Sequence, residues 1–410
     1  MGDVRIVSRR LVRPEPAATS NSGPPEIIHL TPWDLQVITV DHIQKGILLP
    51  NPPTTTGGQG HAAAHVVERL ASSFGRALAR FYPFAGRLVV NDCDGGNKGL
   101  AVSLRCSGEG ARRVRPRRGP RRHRRGRHQP TLIPRLVWSF FPLDRQLGVD
   151  AIAGSLPLLA AQVTELADGV FVAMSLNHAV ADGTTFWRLF NTWSEISRRG
   201  VDADKVSSPL PVHQRFFLEG CPVPIPLPFG NVEDIVCQRL PYPPVEECFL
   251  NFSAESVKEL KAKANAELSG TTTTATISSL QALLAHVWRG ACRARRLAPD
   301  QDTMYTVLVG CRGRVAGLPT AYAGNAVGNA AAKSTAGEIL NRGLGWAALL
   351  LNRAVASFDE ASARDKLASW HGEPSFSRMS AFLANAHAYL ATGSSPGSTC
   401  TGTTSAGDGR

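Results

Sequence analysis

Two apolar segments, Pro157–Val163 and Val170–Leu176, flank the short stretch Thr164–Gly169. Runs of this length and composition read as a hairpin of buried strands. The second strand passes directly into Asn177-His178-Ala179-Val180-Ala181-Asp182-Gly183, and residues 185–198 then carry a helical pattern. A buried hairpin feeding a helix through a polar turn needs a layered α/β domain around it. At ~150 residues per domain, the chain of 410 residues is long enough for two or three.

Strands are expected over residues 4–12, just after Phe81–Leu88, and over 247–252 and 305–310. Helices are expected over 62–81, where Val67, Leu70, Ala71, Phe74, Leu78 and Phe81 recur at helical spacing, and over 254–266, 278–296 and 338–358. A glycine-rich loop is expected over 313–329. Residues 207–244 are rich in proline and mark the boundary, giving domains at 1–206 and 245–410 with a crossover between them.

Hydrophobic residues at 43% and charged residues at 19% supply enough apolar mass for packed cores, against global disorder, collagen or a solenoid. No stretch approaches the ~20 apolar residues of a membrane span. Arg9, Arg10 and Arg13 are followed by prolines and polar residues rather than a signal core. The eight cysteines form no Cys-x-x-Cys pair, so reduced thiols and a cytoplasmic location are expected.

The net charge of +12 is local. Residues 112–127 hold ten arginines and no acid, and subtracting them leaves about +2 for the rest. The run contains no aromatic residue for base stacking and no recognition-helix pattern, so it is expected to be a solvated loop and not a nucleic-acid site.

His178-x-x-x-Asp182 carries the chemistry. Alone it is a weak signal, equally read as a polar turn with a capping aspartate. Its place at a strand end sharpens it, because an imidazole with a reference pKa near ~6.5 offers a neutral nitrogen to take a proton. Thr184 and Thr185 read as helix caps. His61 and His65 lie four apart but lack a third ligand, and no metal, flavin or nicotinamide site is evident.

Seven blocks, in order, resemble the BAHD acyltransferases, a plant family that includes hydroxycinnamoyltransferases. They are His29–Leu35, Phe81–Leu88, Phe140–Leu143, Gln162–Leu166, Asn177–Gly183, Ser278–Arg296 and Tyr322–Val327. The resemblance implies a two-domain chloramphenicol acetyltransferase-like fold with a channel between the domains. It implies acyl-CoA as co-substrate, a small-molecule alcohol or amine of plant specialised metabolism as acceptor, no bound cofactor, and a monomer. His178 would be the general base. Asp182, paired with an arginine, and Gly183 would support the loop, and Gly324 and Asn325 would lie on the acyl-CoA side. Ala323 stands where the family usually has Phe.

Two segments depart from this pattern. The family's Asp-Phe-Gly-Trp-Gly is missing, but Thr403–Asp408 can be encoded so that a one-base displacement restores it. Likewise, codons for Arg113–Gly119 can be read one base out of frame as Glu-Phe-Val-His-Ala-Val-Ala. Two frame slips are therefore expected, one compensated across 112–129 and one after about Pro396. The alternative function is a catalytically impaired or non-catalytic relative that acts at most as a binding module.

Overall fold

The computed structural model describes residues 5–392 except 16–22, 51–58, 93–98, 120–130, 153, 155, 167–168, 201–205, 238, 240–244, 271–273 and 379–387. The expected tail slip and the second half of the arginine run lie outside the described residues.

A five-stranded sheet organises the first half. It uses β1 (Arg5–Val12), β3 (Ile43–Pro50), β6 (Ala111–Gly119), β8 (Leu159–Leu166) and β9 (Gly169–Leu176) in the order β1-β6-β8-β9-β3. β8 and β9 form the expected hairpin, paired from Leu159 with Leu176 to Leu166 with Gly169. Alternation sends Leu159, Ala161, Val163, Val172, Met174 and Leu176 to one face. There they meet α2 (Gln59–Arg80) through Phe74, Ala77 and Leu78, and α3 (Gly183–Arg199) through Phe186, Leu189 and Trp193. A separate sheet, β2-β5-β4, is built from Ile27–His29, Leu100–Arg105 and Arg87–Asp92.

The arginine run is a correction. Its first part is not a loop: Ala111–Gly119 is strand β6, antiparallel to β1 and parallel to β8. Five arginines and Pro116 occupy a strand that has a neighbour on both sides. The backbone takes this path because an interior gap between β1 and β8 would leave both with unpaired hydrogen-bonding edges.

The second half packs α5 (Ala254–Leu268), α6 (Ser279–Ala294) and α8 (Gly343–Ala356) on the sheet formed by β11 (Asp302–Gly310), β12 (Val327–Thr335) and β13 (Tyr389–Thr392). Trp288 is fully buried, and its Nε1 donates to Thr303 Oγ1 at 2.9 Å. The glycine-rich loop ends earlier than expected, since β12 begins at Val327. The expected helix 338–358 is divided at Arg342 into α7 (Ala336–Asn341) and α8, which opens on Gly343 at φ +90°. α9 (Glu360–Trp370) follows.

The described part of the proline-rich connection is largely irregular but ties the halves together. Val212 bridges Tyr322, and Glu247–Phe249 (β10, after the single turn of α4, Val232–Val236) pairs back with β7, Thr131–Ile133. A third core joins Trp33 of the first half to Val309, Cys311, Tyr322, Phe358 and Leu367 of the second. No described helix is long and apolar enough to cross a membrane.

Candidate active site

The turn after β9 is fixed before His178 is reached. Asn177 is fully buried; its Nδ2 donates to the Gly148 carbonyl at 2.8 Å and its Oδ1 accepts the Ala179 N–H at 2.9 Å. A side chain at position 148 would lie 2.7 Å from the Ile38 carbonyl and 3.0 Å from Asn177 Oδ1, so glycine is required there. The chain then turns across residues 178–180 and re-enters a helix at Gly183.

His178 is half-buried, with Nδ1 sealed from solvent and without a hydrogen-bond partner. Nε2 is therefore the nitrogen that can meet a substrate. Burial pulls the imidazole pKa below its ordinary 6.5; its own carbonyl, Asp182, Asn325 and Asp34 oppose that shift more weakly. The ring is accordingly held in its neutral, proton-accepting form near pH 7.

Asp182 is 1% exposed and turned into the fold. It caps α3 by accepting the Thr185 N–H at 2.9 Å, accepts the Ala326 N–H at 3.0 Å, and receives both guanidinium nitrogens of Arg312, at 2.6 and 3.2 Å. A fork–fork pair with every carboxylate lone pair in use is the geometry in which a buried ion pair fixes structure well. Arg312 also donates to the carbonyls of Tyr322 and Gly324 and to Thr185 Oγ1. Thr185 is thus a buried member of this network and not a cap.

A second buried pair grips the other side of the loop. Asp34 lies in α1 (Pro32–Leu35), where Thr31 and Asp34 form a reciprocal capping box. Its Oδ2 is 3.3 Å from Arg215 Nε, and that arginine donates to the carbonyls of Val180 at 2.9 Å and Ala323 at 3.0 Å. Asn325 links the two systems. Its amide donates to Asp34 Oδ1 at 2.9 Å and to the His178 carbonyl at 2.7 Å. Gly324 is forced by the same crowding, because a Cβ there would sit 2.3 Å from Arg215 Nη1.

The structure thus gathers His178, Asp182, Gly183, Gly324 and Asn325 at one place. It places Gly324 and Asn325 directly against the histidine loop. Asp34, Arg215 and Arg312 are residues that sequence reasoning did not single out. Asp34 stood inside the recognised block His29–Leu35, and its capping-box spacing to Thr31 was the available signal. Arg312 lies 130 positions from Asp182, and Arg215 is as remote in sequence from Asp34, each in another element with no local pattern to mark it. Among the described residues no group of three His, Cys, Asp or Glu side chains could hold a metal.

The model of the Transferase family matches residues 3–396. An uncharacterized acetyltransferase of Arabidopsis thaliana is 33% identical over 373 residues, 90% of this chain and 80% of its own length. Shikimate O-hydroxycinnamoyltransferase of Nicotiana tabacum is 29% identical over 78% of this chain and 71% of its own. Among solved structures, vinorine synthase is similar with a TM-score of 0.59 at 18% identity, over 95% of this chain and 83% of its own. The F. sporotrichioides protein TRI101, complexed with coenzyme A and T-2, gives 0.61 at 18% identity over 90% and 83%. The fold is the two-domain mixed α/β fold these structures share, and the chain belongs to the Transferase family, the BAHD acyltransferases, enzymes that transfer acyl groups other than aminoacyl groups.

Proposed function

We propose that this chain transfers an acyl group from a coenzyme A thioester to the hydroxyl or amine of a small molecule, with His178 as general base. The observation that carries the reading is a neutral imidazole whose Nδ1 is sealed while its loop is clamped by two buried ion pairs. The acceptor's O–H or N–H proton passes to Nε2 as its lone pair attacks the thioester carbonyl carbon. The carbonyl electrons move to oxygen; they return as the C–S bond breaks, and the departing thiolate takes the proton from the imidazolium. The products are the ester or amide and free coenzyme A, and the histidine is regenerated. No acyl-enzyme is required, because both substrates are held together and proximity supplies much of the acceleration.

In this reading Asp182, Gly183 and Arg312 keep the loop in place, while Gly324 and Asn325 brace it from the acyl-CoA side. The substrates meet in a channel between domains at 1–206 and 245–410, as a monomer in the cytoplasm. Coenzyme A in a structure of the same fold supports the donor. The test is His178→Ala, assayed by release of coenzyme A thiol. Turnover should fall about 10²- to 10⁴-fold while thioester binding persists; unchanged turnover sinks the assignment.

A second reading has one observation in its favour, the arginine-bearing strand β6 inside the central sheet. A chain impaired in this way would bind thioesters and release no thiol.

A further inference from the structure

Asn325 is 3% exposed, and both hydrogens of its amide nitrogen are committed. Nδ2 donates to Asp34 Oδ1 at 2.9 Å and to the His178 carbonyl at 2.7 Å. Both partners only accept, so the amide has one orientation and Oδ1 is its acceptor end. The backbone N–H of Asn325 donates to the same Asp34 oxygen at 3.1 Å and fixes the residue from a third point. Oxygen and nitrogen of a carboxamide share one carbon, so pinning Nδ2 on the His178 carbonyl holds Oδ1 beside the same residue.

His178 Nδ1 is the complementary group, sealed from solvent and without a close partner. Two hydrogen-bonding neighbours act on the ring: its own carbonyl, already occupied by Asn325 Nδ2, and the Asn325 side chain. Both favour the protonated ring, as an acceptor beside an N–H does. Asp182 and Asp34 act in the same direction as charges, and His42, just before β3, is a neighbouring titratable base. Arg215 and Arg312 are each paired with a carboxylate.

The tautomer of a neutral imidazole is set by the hydrogen bond that its second nitrogen makes. An oxygen at Nδ1 keeps the proton there and leaves the Nε2 lone pair for the substrate. Once Nε2 has taken the substrate's proton, Nδ1–H belongs to an imidazolium, and its bond to the amide oxygen becomes charge-assisted. Asp34 polarises that amide from the nitrogen end. Such catalytic bonds are often long without substrate and tighten as charge develops.

We propose that Asn325 Oδ1 accepts the Nδ1–H of His178 and holds the imidazole with Nε2 free, which makes Asn325 a positioning residue for the base. This rests on the acyl-transfer reading given above. Bracing the loop uses both amide hydrogens, whereas supporting the ring uses one oxygen. Asn325→Ala removes both functions. In Asn325→Asp the new carboxyl keeps its proton beside the buried Asp34 carboxylate, so the ring retains an oxygen while the loop loses a donor.

The experiment is nitrogen NMR of the full chain carrying isotope-labelled histidine, followed through an acid titration. The His178 signals are those lost in His178→Gln. Wild type should show Nδ1 protonated and Nε2 bare. Asn325→Ala should mix the tautomers and move the His178 titration to lower pH, since a group favouring the protonated ring is gone. Asn325→Asp should keep the wild-type tautomer. By release of coenzyme A thiol, Asn325→Ala should lose about ten- to hundredfold in kcat with KM moving less than about threefold, and Asn325→Asp should recover most of it. A proton on Nε2 in wild type, or His178 signals unmoved in Asn325→Ala, overturns the proposal and leaves Asn325 as a brace of the loop. If Asn325→Ala does not fold, Asn325→Asp decides, and a mixed or reversed tautomer there overturns the proposal. NMR needs no turnover. A tautomer that depends on Asn325 in a chain releasing no thiol overturns acyl transfer alone, whereas turnover with a tautomer independent of Asn325 overturns only this inference.

Discussion

In the proposed reaction His178 accepts a proton, for which only the neutral imidazole serves, and burial favours that form. Because the folded pKa lies below 6.5, protonation of the base, and with it loss of rate, should occur only below that pH. A profile of kcat that is level above pH 7 and bends downward below 6.5 is the expected outcome; an acid limb above pH 7 would contradict it. The linkage has the same direction. The folded state binds fewer protons than the unfolded one, so this contribution to stability is complete above the unfolded pKa and declines as pH falls below it. Asp182 makes a different demand. Asp182→Ala strands the Arg312 guanidinium and removes the cap of α3, and should cost about 3–5 kcal/mol in denaturant unfolding. Asp182→Asn, which retains a capping oxygen, should cost less; equal losses would mean that the ion pair and not the cap dominates. His178 and Asp182 were legible because strand, polar turn and helix are adjacent in the chain. Arg312 and Arg215 were not, since a salt bridge between remote positions leaves no periodic trace.

Elements were legible in proportion to their apolar pattern. The hairpin, α2, α3, α5 and α6 lie within a few residues of expectation because each buries a regular stripe or run. The start of β12 reads as loop because Gly328, Asn329 and the alanines at 330–332 lack the branched side chains that signal a strand. Pairing with β11 overrides that weak propensity. β13, four residues long, and α9, with few apolar positions, carry too little signal to stand out. β6 is the instructive case: composition says solvated loop, and sheet topology says interior strand. Proline and five arginines are poor material for a strand flanked on both sides. Replacing residues 113–119 with Glu-Phe-Val-His-Ala-Val-Ala should raise unfolding stability by about 2–4 kcal/mol and reduce aggregation. No gain would show that the arginines are native to this strand. Transcript sequence across codons 105–135 checks the same point independently.

At the scale of the whole molecule, the histidine loop is also the seam. Asp182 of the first half is held by Arg312 of the second, and Asp34 of the first is bound by Asn325 of the second and by Arg215 of the connecting segment. Around these polar contacts lies the core that joins Trp33 to Tyr322, Phe358 and Leu367. Tyr322 is buried so completely that its hydroxyl pKa is pushed up to about 12. The same groups that aim the imidazole therefore couple the halves, and site geometry cannot loosen without loosening the seam. Arg215→Met tests that coupling, because it removes the charge while keeping apolar bulk. Asp34 then remains buried at 0% exposure without its cation, held by Thr31 and Asn325 alone. The wild type should melt in one calorimetric transition, with the two large cores unfolding together. Arg215→Met should separate this into two transitions and lower turnover at temperatures below the first. A single transition, shifted down but undivided, would mean that the Trp33 core couples the halves by packing and that the ion pair serves only the loop.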